Sequence, residues 1–163
     1  LEGASFIVSS AYADPALHGR AFQPRLSGIT CEYLHIWILA VAGEAPVRLD
    51  RNGKLELALE PRLPGWLFTT ESTRRPYFDP REGWTELEIP ASAFAFKLFG
   101  HTLVVYENKS KKDTYGRGGA RPRSYLLAYR SGRSVRVNAA AVGAAHARAA
   151  RSGEISRIDV VLR

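Results

Sequence analysis

The longest apolar pattern in the chain runs through Thr30-Cys31-Glu32-Tyr33-Leu34-His35-Ile36-Trp37-Ile38-Leu39-Ala40-Val41-Ala42. Thr30 stands where an N-cap would, Gly28 precedes it, Gly43 follows the run, and Glu32 sits where the helix dipole favours a negative charge. The pattern predicts a helix. Tyr33, Leu34, Ile36, Trp37, Ile38, Leu39 and Val41 are spread around nearly its whole circumference, which predicts a helix enclosed on all sides. A buried central strand over Leu34 to Ala42 is the competing reading, because periodicity does not separate the two in so short a run. The only other helix candidate, Ala139 to Arg151, is rich in alanine and offers little surface to enclose the first.

After Gly43 the period changes to two. Leu55, Leu57 and Leu59 alternate behind an Arg51-Asn52-Gly53 turn, and Thr85, Leu87 and Ile89 repeat the pattern, as do Phe94, Phe96 and Leu98. His101 to Glu107 is a more continuously apolar strand. Tyr125 to Tyr129 and Ser134 to Val137 flank Arg130-Ser131-Gly132-Arg133 as a hairpin, and Ile158, Val160 and Leu162 make a last strand. Short, closely spaced strands predict a mainly β fold. It is an antiparallel β-sandwich preceded by the buried helix, with one further short helix near the C-terminus. Residues 1–43 are assigned to a loop and the last helix of an α/α barrel, and residues 44–163 to a C-terminal β-sandwich domain. The stretch Thr114 to Arg123, with Gly116, Gly118, Gly119 and Pro122, reads as a mobile loop.

The 163 residues suit one ordinary core plus an appendage. The sequence opens on Leu1, and the chain is expected to be the tail of a longer protein. No apolar run approaches the roughly 20 residues a membrane helix needs, and no signal-peptide order is present, so a cytoplasmic setting is expected. A single cysteine, Cys31, excludes an internal disulfide and a multi-cysteine zinc site. The net charge of +7 is uneven: from Lys109 to Arg136 there are nine lysines and arginines and one acid, Asp113. That segment predicts a basic patch, which suits phosphates, nucleic acid, anionic surfaces or an acidic partner alike.

Candidate chemistry is sparse. His18, His35, His101 and His146 lack metal-ligand spacing, so no metal and no cofactor is expected. Asp14, Asp79 and Glu86 are acids near turns or strand edges, where carboxylates are ordinarily solvated. Nucleophile-elbow, Walker and dinucleotide fingerprints are absent from the sequence. The residues before the first helix include His18, Arg20, Arg25, Ser27, Gly28 and Thr30, a set of donors at a helix N-terminus, which suits an anion. Simple capping and solvation account for the same residues. Trp66 reads either as a sugar-stacking platform or as a core or strand-edge aromatic.

The order Leu26-Ser27-Gly28-Ile29-Thr30, an apolar helix with Trp37, Gly43, then Lys54-Leu55-Glu56-Leu57 and Glu60-Pro61-Arg62-Leu63-Pro64-Gly65-Trp66, resembles the C-terminal end of cellobiose-phosphorylase-like enzymes. Phe99-Gly100-His101-Thr102 and Asp113-Thr114-Tyr115-Gly116 look like later elements of the same tail. The specific part of the likeness is short, roughly Leu26 to Phe68. The resemblance implies an α/α six-hairpin barrel giving way to a β-sandwich, and inverting phosphorolysis of a β-glucoside. In that reaction inorganic phosphate bonds to the anomeric carbon while an acid protonates the departing oxygen. It implies that Ser27, Gly28 and Thr30 help hold phosphate, although the order of hydroxyl and glycine differs from the family's; His18, Arg20 and Arg25 are further candidate phosphate or substrate contacts from their place before the helix alone. It also implies that the general acid lies in the remainder of the parent enzyme, so that the isolated chain is inactive. Two other classes stay open: a free-standing carbohydrate-binding β-sandwich using Trp66 or Trp84, and a nucleic-acid-binding domain using the basic region 109–136.

Overall fold

The computed structural model describes residues 4–24 and 28–163, with side chains at 8–20 and 31–163. The chain forms two compact units, Leu1–Ile38 and Leu39–Arg163.

In the first unit β1 (Ala4–Ile7) and β2 (Ala21–Pro24) pair antiparallel, a hairpin for which the sequence carries no periodic signal. Their long connection is closed by Gly19 N–H donating to the Val8 carbonyl at 2.9 Å. Within it a 3-10 turn at Pro15–Leu17 is capped by Asp14, whose Oδ1 accepts from Ala16 N–H at 3.0 Å. Helix α1 (Gly28–Val41) follows. It begins two residues before the expected Thr30 cap, and the strand alternative for Leu34 to Ala42 falls away. The helix is not buried along its length. Tyr33, Leu34, Ile36 and Ile38 are 48 to 64 % exposed, so the enclosure their composition calls for is not supplied at these positions by the described residues.

The last turn of α1 is anchored in the second unit. The carbonyls that a helix end leaves without intrahelical partners are taken in turn: Arg62 N–H donates to Ala40, the Tyr106 hydroxyl to Val41 at 2.6 Å, and Glu60 N–H to Ala42. Val41 and Ala42 are buried. Gly43, at φ +95, turns the chain out of the helix, and a Cβ there would lie 2.9 Å from that of Glu60.

The main sheet has five strands in the order β10 (Ser134–Val137), β9 (Pro122–Tyr129), β12 (Ile155–Leu162), β8 (Thr102–Glu107), β7 (Ala93–Leu98). Sequence neighbours β8 and β9 do not pair; the last strand fills the place between them, antiparallel to β9 and parallel to β8. This is a parallel pair in an otherwise antiparallel set. Its central place explains why Ile155, Ile158, Val160 and Leu162 are all buried. A smaller sheet, β11 (Val142–Gly143), β4 (Leu55–Leu57) and β3 (Val47–Leu49), carries the alternating leucines. Helix α2 (Ala144–Arg151) runs between β11 and β12, shorter than the expected 139–151.

One face of the main sheet, with Phe96, Val104, Tyr106, Tyr125, Leu127 and Ile158, shares a core with Leu57, Val142 and the alanines of α2. On the opposite face Ala93, Leu103 and Val105 are covered by Tyr77, Leu87 and Ile89 of a separate hairpin, β5 (Thr73–Asp79) and β6 (Gly83–Ile89). The fold is mainly β and sandwich-like, with a short helix near its C-terminus. Among the described residues no helix is long and apolar enough to cross a membrane.

Candidate functional site

The expected phosphate site is placed only in part. Arg25 and Ser27 lie outside the described residues. Gly28 and Thr30 are in the first turn of α1, described in backbone alone. His18 and Arg20 belong to the β1–β2 connection, where the His18 ring bonds the Tyr12 carbonyl at 2.7 Å through Nε2 and so helps close its own loop.

The acids do not form a catalytic pair. Asp79 lies at the end of β5, nearly buried, with Oδ2 accepting from Arg130 Nη2 at 2.8 Å and Oδ1 accepting from Arg81 and Glu82 N–H. The hydrogen bond from Arg130 holds its pKa below the usual carboxylate value, which suits a structural anion and not a proton donor. Glu86 pairs across the hairpin with Pro76, three residues from Asp79 along β5 and so of opposite parity, and the carboxylates leave opposite faces. Glu86 is exposed beside Arg74. His101 bonds Thr102, and His146 bonds the Tyr129 hydroxyl at 2.6 Å. Among the described residues no group of histidines, cysteines and acids is arranged to hold a metal.

The structure does bring two of the notable sequence motifs together. Thr114, fully buried, accepts from Leu63 N–H at 2.7 Å and donates to the Pro61 carbonyl at 2.8 Å. Asp113 Oδ1 accepts from Gly65 N–H at 2.8 Å. Gly65 is pressed so closely on the 108–112 turn that a Cβ would stand 1.9 Å from the Lys111 carbonyl oxygen, and only glycine fits. The Pro61–Trp66 strap and the basic loop therefore form one clamped structure. The loop read as mobile is fixed by these bonds and by Arg121, which donates to the Thr114 and Gly116 carbonyls.

The clamp leaves aromatic rings outside. Trp66, in a 3-10 turn at Gly65–Leu67, is 80 % exposed while Phe68 beyond it is buried. Tyr115 is 43 % exposed, and the charge of Asp113, slight desolvation and a hydrogen bond to that carboxylate hold its phenol above the usual tyrosine pKa. Trp84 is 75 % exposed on the outer face of the β5–β6 hairpin, packed edge-on against Phe78 with centroids 5.4 Å apart. Neither tryptophan is a core residue, so the reading of Trp66 as a buried aromatic is set aside. Below the clamp a groove of about 410 Å³ is lined by Glu107, Lys109, Ser110, Lys112 and Leu162 among others. Sequence reading saw the charge run but not this groove, because the wall from β12 lies some fifty positions further along the chain. No family model matches the chain, and no curated protein matches it.

Proposed function

We propose that this chain is the C-terminal part of a carbohydrate-active enzyme, most specifically of an inverting glycoside phosphorylase acting on β-glucosides. The β-domain braces a helical catalytic body, and Ser27, Gly28 and Thr30 face inorganic phosphate. The observation that carries the reading is α1: apolar around nearly its whole circumference, about half exposed at Tyr33 to Ile38, yet anchored at its C-terminal end through the carbonyls of Ala40, Val41 and Ala42. A helix of that composition is stable against other helices, as in a helical barrel. The companion claim is that the bond-breaking acid lies elsewhere in the enzyme.

The coding region upstream of Leu1 tests the reading. Helical hairpins carrying a candidate acidic residue there support it; a start codon adjoining Leu1 overturns it. The isolated chain, given cellobiose or laminaribiose with phosphate, is expected to release no sugar phosphate, and turnover would place the acid in this chain.

The exposure of Trp66 and Trp84 favours a second reading, a carbohydrate-binding module. It predicts retention on insoluble glucan, lost in part by Trp66→Ala or Trp84→Ala. A nucleic-acid-binding domain has only the charge of region 109–136 in its favour.

A further inference from the structure

We propose that the end of the main sheet where β8 and β12 finish and β9 begins binds an anionic oligosaccharide, through the groove at Glu107, Lys109, Ser110 and Lys112 and the exposed ring of Trp66. The site lies apart from Ser27–Thr30 and does not depend on the phosphorylase reading.

The topology assembles it. Strands β8 and β12 are parallel, so their C-terminal ends coincide, and β9 runs against them, so its start lies there too: Glu107 faces Val161, which faces Ser124. Lys109, Lys111 and Lys112 leave from one side of that row, and Arg121 and Arg123 enter from the other. None of these has a carboxylate within ion-pair distance among the described residues, where arginine and acid pairs are confined to Arg48, Arg74, Arg130 and Arg157. At the other end of the same sheet Arg130 is matched by Asp79 and Glu82. Five cations without an ion-pair partner among the described residues therefore meet at this end, where they attract an anionic ligand.

The groove is also held in shape before any ligand arrives. Asn108 Nδ2 donates to the Lys112 carbonyl at 2.7 Å, the Ser110 hydroxyl donates to Asn108 Oδ1 at 2.9 Å, and Lys111 N–H to the Asn108 carbonyl at 3.0 Å. A turn fixed this way loses little entropy on binding. Gly65 is packed on that turn, and Trp66, next to it in the chain, is 80 % exposed.

The acids within the site select the ligand class. Half-buried Glu107 has no hydrogen-bond partner for its carboxylate among the described residues, and Asp113 lies at the foot of Tyr115. Carboxylates accept hydrogen bonds from sugar hydroxyls, which a DNA phosphodiester backbone does not offer, while the repulsion from Glu107 and Asp113 is common to both polyanions. Cations for the acidic groups, acceptors for the hydroxyls and a ring for a sugar face fit an acidic sugar chain better than a nucleic acid.

The test is titration of the chain with a hexagalacturonate, a neutral cello-oligosaccharide of equal length and an oligothymidylate of equal charge. The hexagalacturonate is expected to bind most tightly and to weaken with salt. The Lys109→Gln/Lys112→Gln pair should weaken binding and reduce the salt dependence. Trp66→Ala, a change at an exposed position, should weaken binding about tenfold. Arg133→Gln, at the far end of the sheet, should change nothing. Binding of the oligothymidylate as tight as that of the uronate, no uronate binding at low salt, or an equal loss on Arg133→Gln would each overturn the proposal.

Discussion

Single residues show how far polar groups are committed to structure. Tyr125 is the clearest: its hydroxyl accepts from Leu59 N–H and donates to the Ala140 carbonyl, and burial pushes its pKa up to about 12. A phenol raised in the folded state ionises first in the unfolded chain, so its contribution is intact below about pH 10 and is lost as pH rises towards 12. Urea unfolding is expected to show stability falling over that window, less steeply in Tyr125→Phe. That variant should also lose about 1–2 kcal/mol at neutral pH, from the two backbone groups left without a partner. The Arg130–Asp79 pair acts in the opposite sense. Asp79 is held below the ordinary carboxylate pKa, so its stabilisation is present above about pH 4 and fades as pH falls through the lowered value. Arg130→Met should cost about 3 kcal/mol, since it strands a carboxylate that is 8 % exposed, and should raise the Asp79 pKa seen in a carboxylate NMR titration.

Among the elements, those with a clear period were legible in the sequence and those made by long-range contacts were not. The helix at Thr30 to Ala42 and the strands at Leu55, Leu87, Phe94, Leu103 and Ile158 announce themselves by spacing. The β1–β2 hairpin does not, because Ala4-Ser5-Phe6-Ile7 and Ala21-Phe22-Gln23-Pro24 do not alternate cleanly and a long connection separates them, and β5 does not, because Arg74, Arg75 and Pro76 hide its period. The basic loop was misread as mobile because Gly116, Gly118 and Gly119 suggest freedom, while what fixes it is Thr114 reaching the Pro61–Leu63 backbone some fifty positions back. Thr114→Val keeps the shape and removes both bonds. It should cost about 1–3 kcal/mol and free the Leu63 amide to hydrogen exchange, which proton-exchange NMR reads directly. Gly65→Ala should be worse, as its methyl would meet the Lys111 carbonyl.

At the scale of the whole molecule, a β-domain with a filled core follows a helix whose Tyr33, Leu34, Ile36 and Ile38 are exposed. The core explains itself from sequence: alternation supplies its leucines and the last strand completes the sheet. The site was legible only as a list of suitable residues. Ser27 to Thr30 draws its meaning from a resemblance, whereas the groove beside Lys109 and Lys112 depends on three strand ends meeting, which no local pattern encodes. The central proposal is that α1 packs against helices outside this chain. Hydrogen–deuterium exchange of the monodisperse monomer tests that claim. Fast exchange at residues 31–38 with slow exchange at 39–42 and through β12 is the predicted result, and protection at 31–38 equal to that of β12 would contradict it.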